Sequence, residues 1–331
     1  MSLRKPLIGL ASLGLLVTLV VVSSADATYP GRNGLIAFNA VTNGQNQIYT
    51  VDQKGHGLRQ ITHGDGDSLV ADWSPDGRKI VYEFDYGDGS GAGVEIMNAD
   101  GGNLVNLTPT PVCCSGQPSF TPDGKRIVFE RYDPDTNDDA IWSMKTNGTD
   151  VKRVVDPWPN GAGLATDPNV SPNGKTLSFV GFDGSLTGPP PNNEPAQGLF
   201  TSGLGGNNLK QLMPFSSDQA IKQDWSPDGK HLLMGVNANF LHQGDSANTA
   251  RIRPNGSGFR MLTHYGGGEV NAFAGSYSPD GKWVVFRLED HGSYALERMH
   301  ADGSHVQTIL PLSSFRPRNI DWGPKATGGK H

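Results

Sequence analysis

Histidines and carboxylates recur in the polar segments between the apolar runs of this 331-residue sequence, and one tyrosine stands beside them. Histidine beside a carboxylate can perform acid-base chemistry or bind a metal ion, because its pKa lies close to neutral pH. The candidate binding residues are His63, Asp65, Asp67, Asp85, Asp88, His264, Tyr265, Glu289, Asp290 and His291. The sequence contains no His-x-x-x-His pair, and scattered polar residues of this kind are more often solvated than catalytic. We therefore predict binding residues and no catalytic set.

A cation site is the second candidate. Oxygen-bearing side chains alternate along one polar stretch, at Asp133, Asp135, Asn137 and Asp139, and hard cations such as Ca²⁺ take ligands of this type. The stretch departs from an EF-hand loop, since Asp138 stands where glycine is required and Met144 where the closing glutamate is required. We expect a solvated loop and no required cofactor, with Ca²⁺ as the alternative.

One repeated unit separates these segments. It is clearest in Asp224-Trp225-Ser226-Pro227-Asp228-Gly229, where a basic residue and an apolar run follow. Copies stand at residues 72–77, 119–124, 169–174 and 276–281, with a truncated copy at 321–324. Proline at the first turn position, with Asp or Asn before Gly, favours a tight reversal between two strands.

A second turn signal follows each copy. Gly55, Gly101, Gly148, Gly206, Gly256 and Gly303 each stand three residues before an apolar position and six before another. The two turns together predict four short strands in a unit of about 50 residues, the size of a propeller blade. The chain ends are complementary, because 33–38 lacks a first strand and 319–322 lacks a second. We predict an all-β fold, a six-bladed β-propeller of four-stranded antiparallel blades in which both termini share one blade.

The first 27 residues have the features of a secretory signal peptide. Arg4 and Lys5 precede an apolar run, which ends in Ala25-Asp26-Ala27. We predict cleavage after Ala27, a propeller over 28–325 and a flexible tail over 326–331. A secreted or periplasmic monomer is expected, with no membrane span after cleavage; retention of the apolar run as an anchor is the alternative.

Two adjacent cysteines, Cys113 and Cys114, are the only ones in the sequence. Sequence neighbours can close only a small strained ring, so we expect thiols and no disulfide framework.

The Trp-Ser-Pro-Asp-Gly-Lys units and the Asp-Gly turns resemble the repeats of TolB-like six-bladed propellers, over about residues 29–325. Related repeats occur in the propellers of prolyl oligopeptidases. The resemblance implies the fold and leaves the function open, since one fold hosts many activities. Two features depart from those families: the predicted signal peptide runs directly into the first strand with no α/β domain between them, and no Gly-x-Ser-x-Gly elbow occurs.

Connections of two kinds should lie at opposite ends of the propeller. The two repeated turns share one end, the short-turn face, and all other connections share the long-loop face, including 40–46 and 289–293. The carboxylates are concentrated in the long loops and the lysines in the short turns, which predicts an acidic and a basic face. Sites on repeat scaffolds concentrate in long loops.

We therefore expect a binding or scaffold protein that contacts a protein, peptide or glycan, in the cell envelope or outside the cell, through the long-loop face. The modest negative charge of −6 does not suggest a nucleic-acid partner. The alternative is a hydrolase or lyase acting on a saccharide or peptide. Histidines that converge with carboxylates would favour it.

Polar residues also recur beside the aromatic residue of each first strand, among them Asp72, Asp224 and Asp321. A polar ring at this position could bind a cation or another ligand. We expect instead that each side chain caps a turn or bonds the adjacent blade.

Overall fold

The computed structural model describes residues 29–109, 114–133, 138–155, 164–187, 195–216, 219–236 and 246–326. These ranges contain 24 strands in six four-stranded antiparallel sheets and no helix. The innermost strands of neighbouring sheets contact one another around a ring. The fold is the predicted six-bladed β-propeller.

The blades follow chain order, and the strands are given from the innermost outward. Blade 1 contains β1 (Asn33–Thr42), β2 (Gln45–Val51) and β3 (Arg59–Gln60), and its innermost strand is β24 (Arg318–Pro324) from the other end of the chain. Blade 2 contains β4 (Asp67–Trp73), β5 (Lys79–Asp85), β6 (Ala92–Asn98) and β7 (Val105–Asn106). Blade 3 contains β8 (Ser115–Phe120), β9 (Arg126–Asp133), β10 (Asp138–Lys145) and β11 (Lys152–Val155).

Blades 4 to 6 repeat the same order. Blade 4 contains β12 (Ala165–Val170), β13 (Thr176–Thr187), β14 (Pro195–Gly203) and β15 (Lys210–Gln211). Blade 5 contains β16 (Gln219–Trp225), β17 (Leu232–Val236), β18 (Asn248–Ile252) and β19 (Arg260–Met261). Blade 6 contains β20 (Val270–Tyr277), β21 (Trp283–Asp290), β22 (Ser293–His300) and β23 (Gln307–Ser313).

The two chain ends close the ring as predicted. β1 pairs antiparallel with β24, with Ile36 opposite Trp322 and Ala37 opposite Asp321. Beyond these strands, the Lys325 backbone N–H donates to the Arg32 carbonyl at 2.7 Å. Pairing the two terminal strands removes an edge at which another chain could add.

The Ser-Pro-Asp-Gly unit forms a turn that its own side chains hold. In blade 2, Ser74 Oγ donates to Asp76 Oδ1 at 2.7 Å and accepts from the Lys79 N–H at 2.9 Å. Asp76 Oδ1 also accepts from the Arg78 N–H at 3.1 Å. The same hydroxyl-carboxylate or hydroxyl-amide pair recurs at Thr121/Asp123, Ser171/Asn173, Ser226/Asp228 and Ser278/Asp280. Short polar side chains that satisfy local backbone groups explain why the motif is repeated.

The glycine of the second turn allows neighbouring blades to approach each other. Gly303 in blade 6 has a φ of 92°, and a Cβ atom there would lie 2.7 Å from the Leu262 carbonyl oxygen of blade 5. A larger residue would therefore be strained and would also separate the blades. The first-strand aromatic residues fill the space between blades, and Trp73, Trp225 and Trp322 are almost completely buried.

Two of the connections expected to be long are tight hairpin turns. β1 and β2 are joined by Asn43-Gly44, and β21 and β22 by His291-Gly292. Both residues of each turn have positive φ, as a type I′ turn requires. The predicted long loops at 40–46 and 289–293 are therefore wrong, and Glu289 and Asp290 belong to a strand.

A short segment before β1 crosses the axis of the ring. The Tyr29 hydroxyl donates to the Phe120 carbonyl of blade 3 at 3.1 Å, and the Gly31 N–H donates to the Pro279 carbonyl of blade 6 at 3.1 Å. Blades 3 and 6 lie opposite each other, so Tyr29 and its neighbours lie across the short-turn end of the central channel. Tyr29 is only 7% exposed, and burial, followed by Asp72 and Asp321, raises the pKa of its phenol well above the usual value.

Cys114 is disulfide-bonded, so the expectation of a thiol there is wrong. Cys113, the one other cysteine of the sequence, lies outside the described residues, as do the predicted signal peptide and tail residues 327–331. In the described ranges, no helix is long and apolar enough to span a membrane.

Deleting residues 319–331 should remove the innermost strand of blade 1 and open the ring. We expect a lower melting temperature and self-association through the exposed edge of β1, measured by calorimetry and light scattering. Deletion of 327–331 alone is the control and should change neither. A 319–331 deletion that kept the full-length melting temperature and remained monomeric would contradict the closure.

Candidate functional site

The sequence-predicted binding residues lie at the long-loop end but do not form one cluster. His63 and Asp65 are exposed between β3 and β4, whereas His264 and Tyr265 follow β19. Asp67 begins β4, Asp85 ends β5, and Asp88 lies in the turn after it; Glu289, Asp290 and His291 lie at the β21–β22 hairpin.

Several of the predicted carboxylates bond to nearby backbone or side-chain groups. Asp67 Oδ1 accepts from the backbone N–H of Asn46 at 2.5 Å, which connects blade 2 to blade 1. Asp85 and Asp88 each accept from the backbone N–H two residues further along, at 2.9 and 2.8 Å. The side chains of Asp85 and Asp88 therefore stabilise turns.

His291 is the one predicted histidine that the described structure places between carboxylates. Its Nδ1 lies 2.5 Å from Asp290 Oδ1, and its Nε2 lies 2.7 Å from Glu269 Oε2. The hydrogen bond to Asp290, with the charge of Glu269, raises the pKa of the imidazole. The His291 side chain is 66% exposed, and His63 and His264 lie at other blade boundaries. The convergence of histidines that would favour an enzyme is not found among these residues.

The predicted cation ligands cannot be compared with the structure as a set. Asp135 and Asn137, and the side chain of Asp133, lie outside the described residues, while Asp139 lies on β10 opposite Tyr132. In the described part of the chain, no group of three or more His, Cys, Asp or Glu side chains could hold a metal ion. The Ca²⁺ alternative stays a prediction.

The polar residues of the innermost strands bond neighbouring blades together. Three aspartates each accept from the backbone N–H of the aromatic residue in the next blade: Asp321 from Trp73 at 2.9 Å, Asp72 from Phe120 at 2.8 Å and Asp224 from Tyr277 at 2.7 Å. Ser276 Oγ similarly accepts from the Trp322 N–H at 3.2 Å. The prediction that these side chains bond the adjacent blade is confirmed.

These inner carboxylates repel one another. Burial raises the pKa of Asp72 well above its usual range, and the charge of Asp321 raises it further. Burial also raises the pKa of Asp321, while Lys222 on β16 lowers the pKa of both groups. The channel wall thus holds closely spaced acidic groups with one nearby lysine.

A second layer of residues, polar in four of the six blades, was not predicted from the sequence. It lies on the second strand of each blade, six residues after the glycine of the Ser-Pro-Asp-Gly unit. The equivalent residues, in blade order from the second blade, are Glu83, Glu130, Val180, Gly235 and Arg287, with Asn39 in the first blade. The spacing was visible in the repeat, but only the register between blades shows that the side chains form one layer.

The two glutamates of this layer reach the next blade. Glu83 Oε2 accepts from the Gln117 N–H at 3.0 Å, where a bulge gives Gln117 a φ of 47°. A Cβ atom at Gly116 would lie 2.5 Å from this carboxylate, so glycine leaves room for it. Glu130 bonds to Thr166 in blade 4 through one oxygen, and its buried Oε2 has no partner among the described residues.

Burial opposes ionisation of both glutamates. Burial raises the pKa of Glu83, partly offset by the Gln117 N–H. Burial, followed by the charge of Asp139, raises the pKa of Glu130 to about 8. Buried carboxyl groups with a shifted pKa are candidate functional groups, because functional sites often shift the pKa values of the groups that they use.

The opposite wall is basic. Arg287 occupies the same layer in blade 6, opposite Glu130 in blade 3, and Arg316 and Arg318 lie beside it on the segment that enters β24. The long-loop face was expected to be acidic. It carries both signs, because Arg316 and Arg318 lie just before and at the start of β24, at the same end of the ring as the loop carboxylates.

The comparisons with known proteins agree on the fold. The TolB beta propeller domain family matches residues 18–181. The Agrobacterium fabrum protein Atu1656 is 27% identical over 194 residues, which cover 56% of this chain and 60% of that protein. The peptidase YuxL of Bacillus subtilis is 27% identical over 215 residues, which cover 54% of this chain and 30% of YuxL. The aligned part of this chain therefore spans less than two thirds of either relative.

Two solved structures are similar at low sequence identity. TolB from Acinetobacter baumannii has a TM-score of 0.66 and 21% identity, over 88% of this chain and 67% of TolB. An oligogalacturonate lyase from Vibrio parahaemolyticus has a TM-score of 0.51 and 14% identity, over 78% of this chain and 73% of the lyase. At such identities the similarity extends to the fold alone.

Two substitutions at Asp72 should separate hydrogen bonding from charge. Asp72→Ala leaves the buried Phe120 N–H without an acceptor and should lower the free energy of unfolding by about 1–3 kcal/mol. Asp72→Asn keeps an acceptor and removes the repulsion with Asp321, so it should cost less than the alanine variant. Urea denaturation at pH 7 measures both. Equal losses in the two variants would contradict a role as hydrogen-bond acceptor.

Glu130→Gln should change how stability depends on pH. Because the folded pKa of about 8 lies above the ordinary glutamate pKa of 4.5, the folded protein binds an extra proton between these limits and loses stability as pH rises through them. Removing the group should reduce this loss by about 4 kcal/mol between pH 5 and pH 8.5, since one pKa unit corresponds to about 1.4 kcal/mol and most of the interval from 4.5 to about 8 lies in this range. Urea denaturation at pH 5 and pH 8.5 measures the difference, with Asp65→Asn at an exposed position as control. An unchanged slope in Glu130→Gln would show that this carboxyl does not hold the proton.

Proposed function

Because the chain belongs to the TolB-like β-propeller repeat family, we propose that it is an exported, non-catalytic binding protein that holds a peptide segment of a protein partner at the long-loop end of its channel. One observation carries the proposal. Glu83 and Glu130 in blades 2 and 3 and Arg287 in blade 6 occupy equivalent positions of the repeat, so acidic side chains stand on one side of the ring and a basic side chain on the other.

The position of the N-terminal segment supports binding at this end. Tyr29 and Gly31 lie across the short-turn end of the channel and bond to blades 3 and 6. This segment obstructs entry from the short-turn end, which favours entry of a ligand from the long-loop end.

The pattern of charge favours a polypeptide over a glycan. A polypeptide carries carboxylates, cationic side chains and backbone amides, so one segment can match an acidic wall and a basic wall together. A neutral glycan offers hydroxyl groups only, and an acidic glycan would be repelled by the wall of Glu83 and Glu130 when these are ionised. A protein partner in the cell envelope or outside the cell is consistent with the predicted signal peptide at 1–27.

A hydrolase or lyase is less well supported. His291 is exposed on a hairpin turn, and its two nitrogens are engaged by Asp290 and Glu269. The peptidase relative is matched over only 30% of its length.

Site-specific photo-crosslinking in the native host can test which face binds. A photoreactive amino acid replaces His63 or His264 on the long-loop face, and His56 or His305 on the short-turn face as matched controls, since all four histidines are exposed. We expect both long-loop positions to crosslink one and the same protein and the controls to miss it. The partner should be released as sodium chloride rises, because exposed charges are screened over ~10 Å at 0.1 M salt. Crosslinks confined to the short-turn positions, or none at all, would refute the proposal.

A further inference from the structure

Two arginines contact one glutamate between blades 6 and 1, and a third arginine lies beside them. Arg316 Nη2 lies 3.3 Å from Glu289 Oε2, and Arg287 Nη2 lies 3.8 Å from the same oxygen. Arg287 Nη1 donates to the Pro317 carbonyl at 3.3 Å. Arg318 is exposed beside them on β24. One carboxylate cannot neutralise three guanidinium groups, so this cluster, the arginine cluster, has an excess of positive charge.

The arginine cluster also has unused donors. Arg287 is only 7% exposed, and its Nε has no hydrogen-bond partner among the described residues. The Nε of Arg316 is likewise buried and without a partner. A buried charged donor without an acceptor is costly, unless a ligand supplies the acceptor.

Neighbouring positive charges strain the cluster further. Burial, followed by the charge of Arg316, lowers the pKa of Arg287 to about 10. Burial and Arg316 also lower the pKa of Arg318. An anion placed among the three side chains would relieve this repulsion.

Aromatic rings support two of the arginines. The Arg287 guanidinium lies 3.9 Å from the centre of the Phe273 ring, and that of Arg316 lies 4.8 Å from the Tyr294 ring. A ring against the planar face of a guanidinium leaves its edge, where the N–H groups lie, free to bind. The edge of arginine matches the two oxygens of a carboxylate.

We propose that Arg287, Arg316 and Arg318 form a subsite that binds a carboxylate group of the ligand. The inference rests on the proposed function and specifies which part of a peptide the basic wall receives. A carboxylate fits better than a phosphate, because Glu289 lies within the cluster and would repel a doubly charged anion more strongly. The carboxylate can come from an acidic side chain or from a peptide C-terminus.

NMR signals of the arginine Nε–H groups can test the subsite directly. Acetate is titrated into arginine-¹⁵N-labelled protein against sodium chloride at equal ionic strength, with phosphate as a second probe. We expect saturable shifts of the Arg287 and Arg316 signals with acetate, and weaker binding of phosphate. Shifts that are equal for acetate and chloride would overturn the proposal, and tighter binding of phosphate would overturn the choice of carboxylate.

Two pentapeptides distinguish the sources of the carboxylate. Gly-Ser-Glu-Ser-Gly with an amidated C-terminus presents a side chain, and Gly-Ser-Gln-Ser-Gly with a free C-terminus presents the chain end. The peptide that shifts the Arg287 and Arg316 Nε–H signals at the lower concentration identifies the source. If neither peptide shifts them, the subsite does not bind peptide carboxylates.

Arg316 and Arg318 are more exposed than Arg287, so substitutions there test the subsite with less risk of unfolding the protein. Arg316→Gln/Arg318→Gln should weaken acetate binding at Arg287 at least tenfold, and Arg316→Lys/Arg318→Lys should lie between, since lysine keeps the charge and loses the paired N–H edge. Arg59→Gln/Arg260→Gln removes the same charge from exposed arginines on the short-turn side and should bind acetate normally. Unchanged binding in the glutamine variant of the cluster would overturn the proposal. Retained acetate binding with crosslinks from the short-turn face would instead refute the proposed function alone.

Discussion

The ring depends on one hydrogen bond that recurs between blades, in which a side chain on an innermost strand accepts from the backbone N–H of the next blade. Asp321, Asp72 and Asp224 supply the acceptor at three boundaries and Ser276 at a fourth. A propeller has no core along its axis, so the contacts between blades must fix both their spacing and their order. Using carboxylates for this purpose places mutually repelling groups around the channel, and burial raises the pKa of Asp72 and Asp321 as a consequence. Stability and the electrostatics of the channel therefore have the same origin.

The repeat made the fold predictable. A turn held by its own side chains, as at Ser74 and Asp76, needs no distant contact, so its sequence identifies it wherever it occurs. The blade shared by the two chain ends was predictable because neither end supplies a complete set of strands by itself. The two hairpin turns were mispredicted: Asn43-Gly44 is a strong turn signal that was included in a loop, and His291-Gly292 is a less common form of it.

The candidate site was much less predictable, and the reason is geometric. Loop carboxylates such as Asp85 and Asp88 can be seen in the sequence, yet their bonds are local. Glu130 and Arg287 stand at one position of the repeat but differ in sign, so no motif connects them. Only the closed ring places blade 3 opposite blade 6. The arginine cluster further requires Arg316, which the last connection of the chain brings next to a strand some thirty residues earlier.

The segment that contains Tyr29 and Gly31 has a consequence for the shape of any ligand. A chain that enters from the long-loop face cannot thread through the ring, because this segment bonds to both sides of the far end. Only a chain terminus or the tip of a loop can be inserted, and it must be withdrawn along the path by which it came. In the proposed binding mode, a long unfolded polypeptide would be held at its end and not encircled, so partners would be distinguished by where their exposed segment stops.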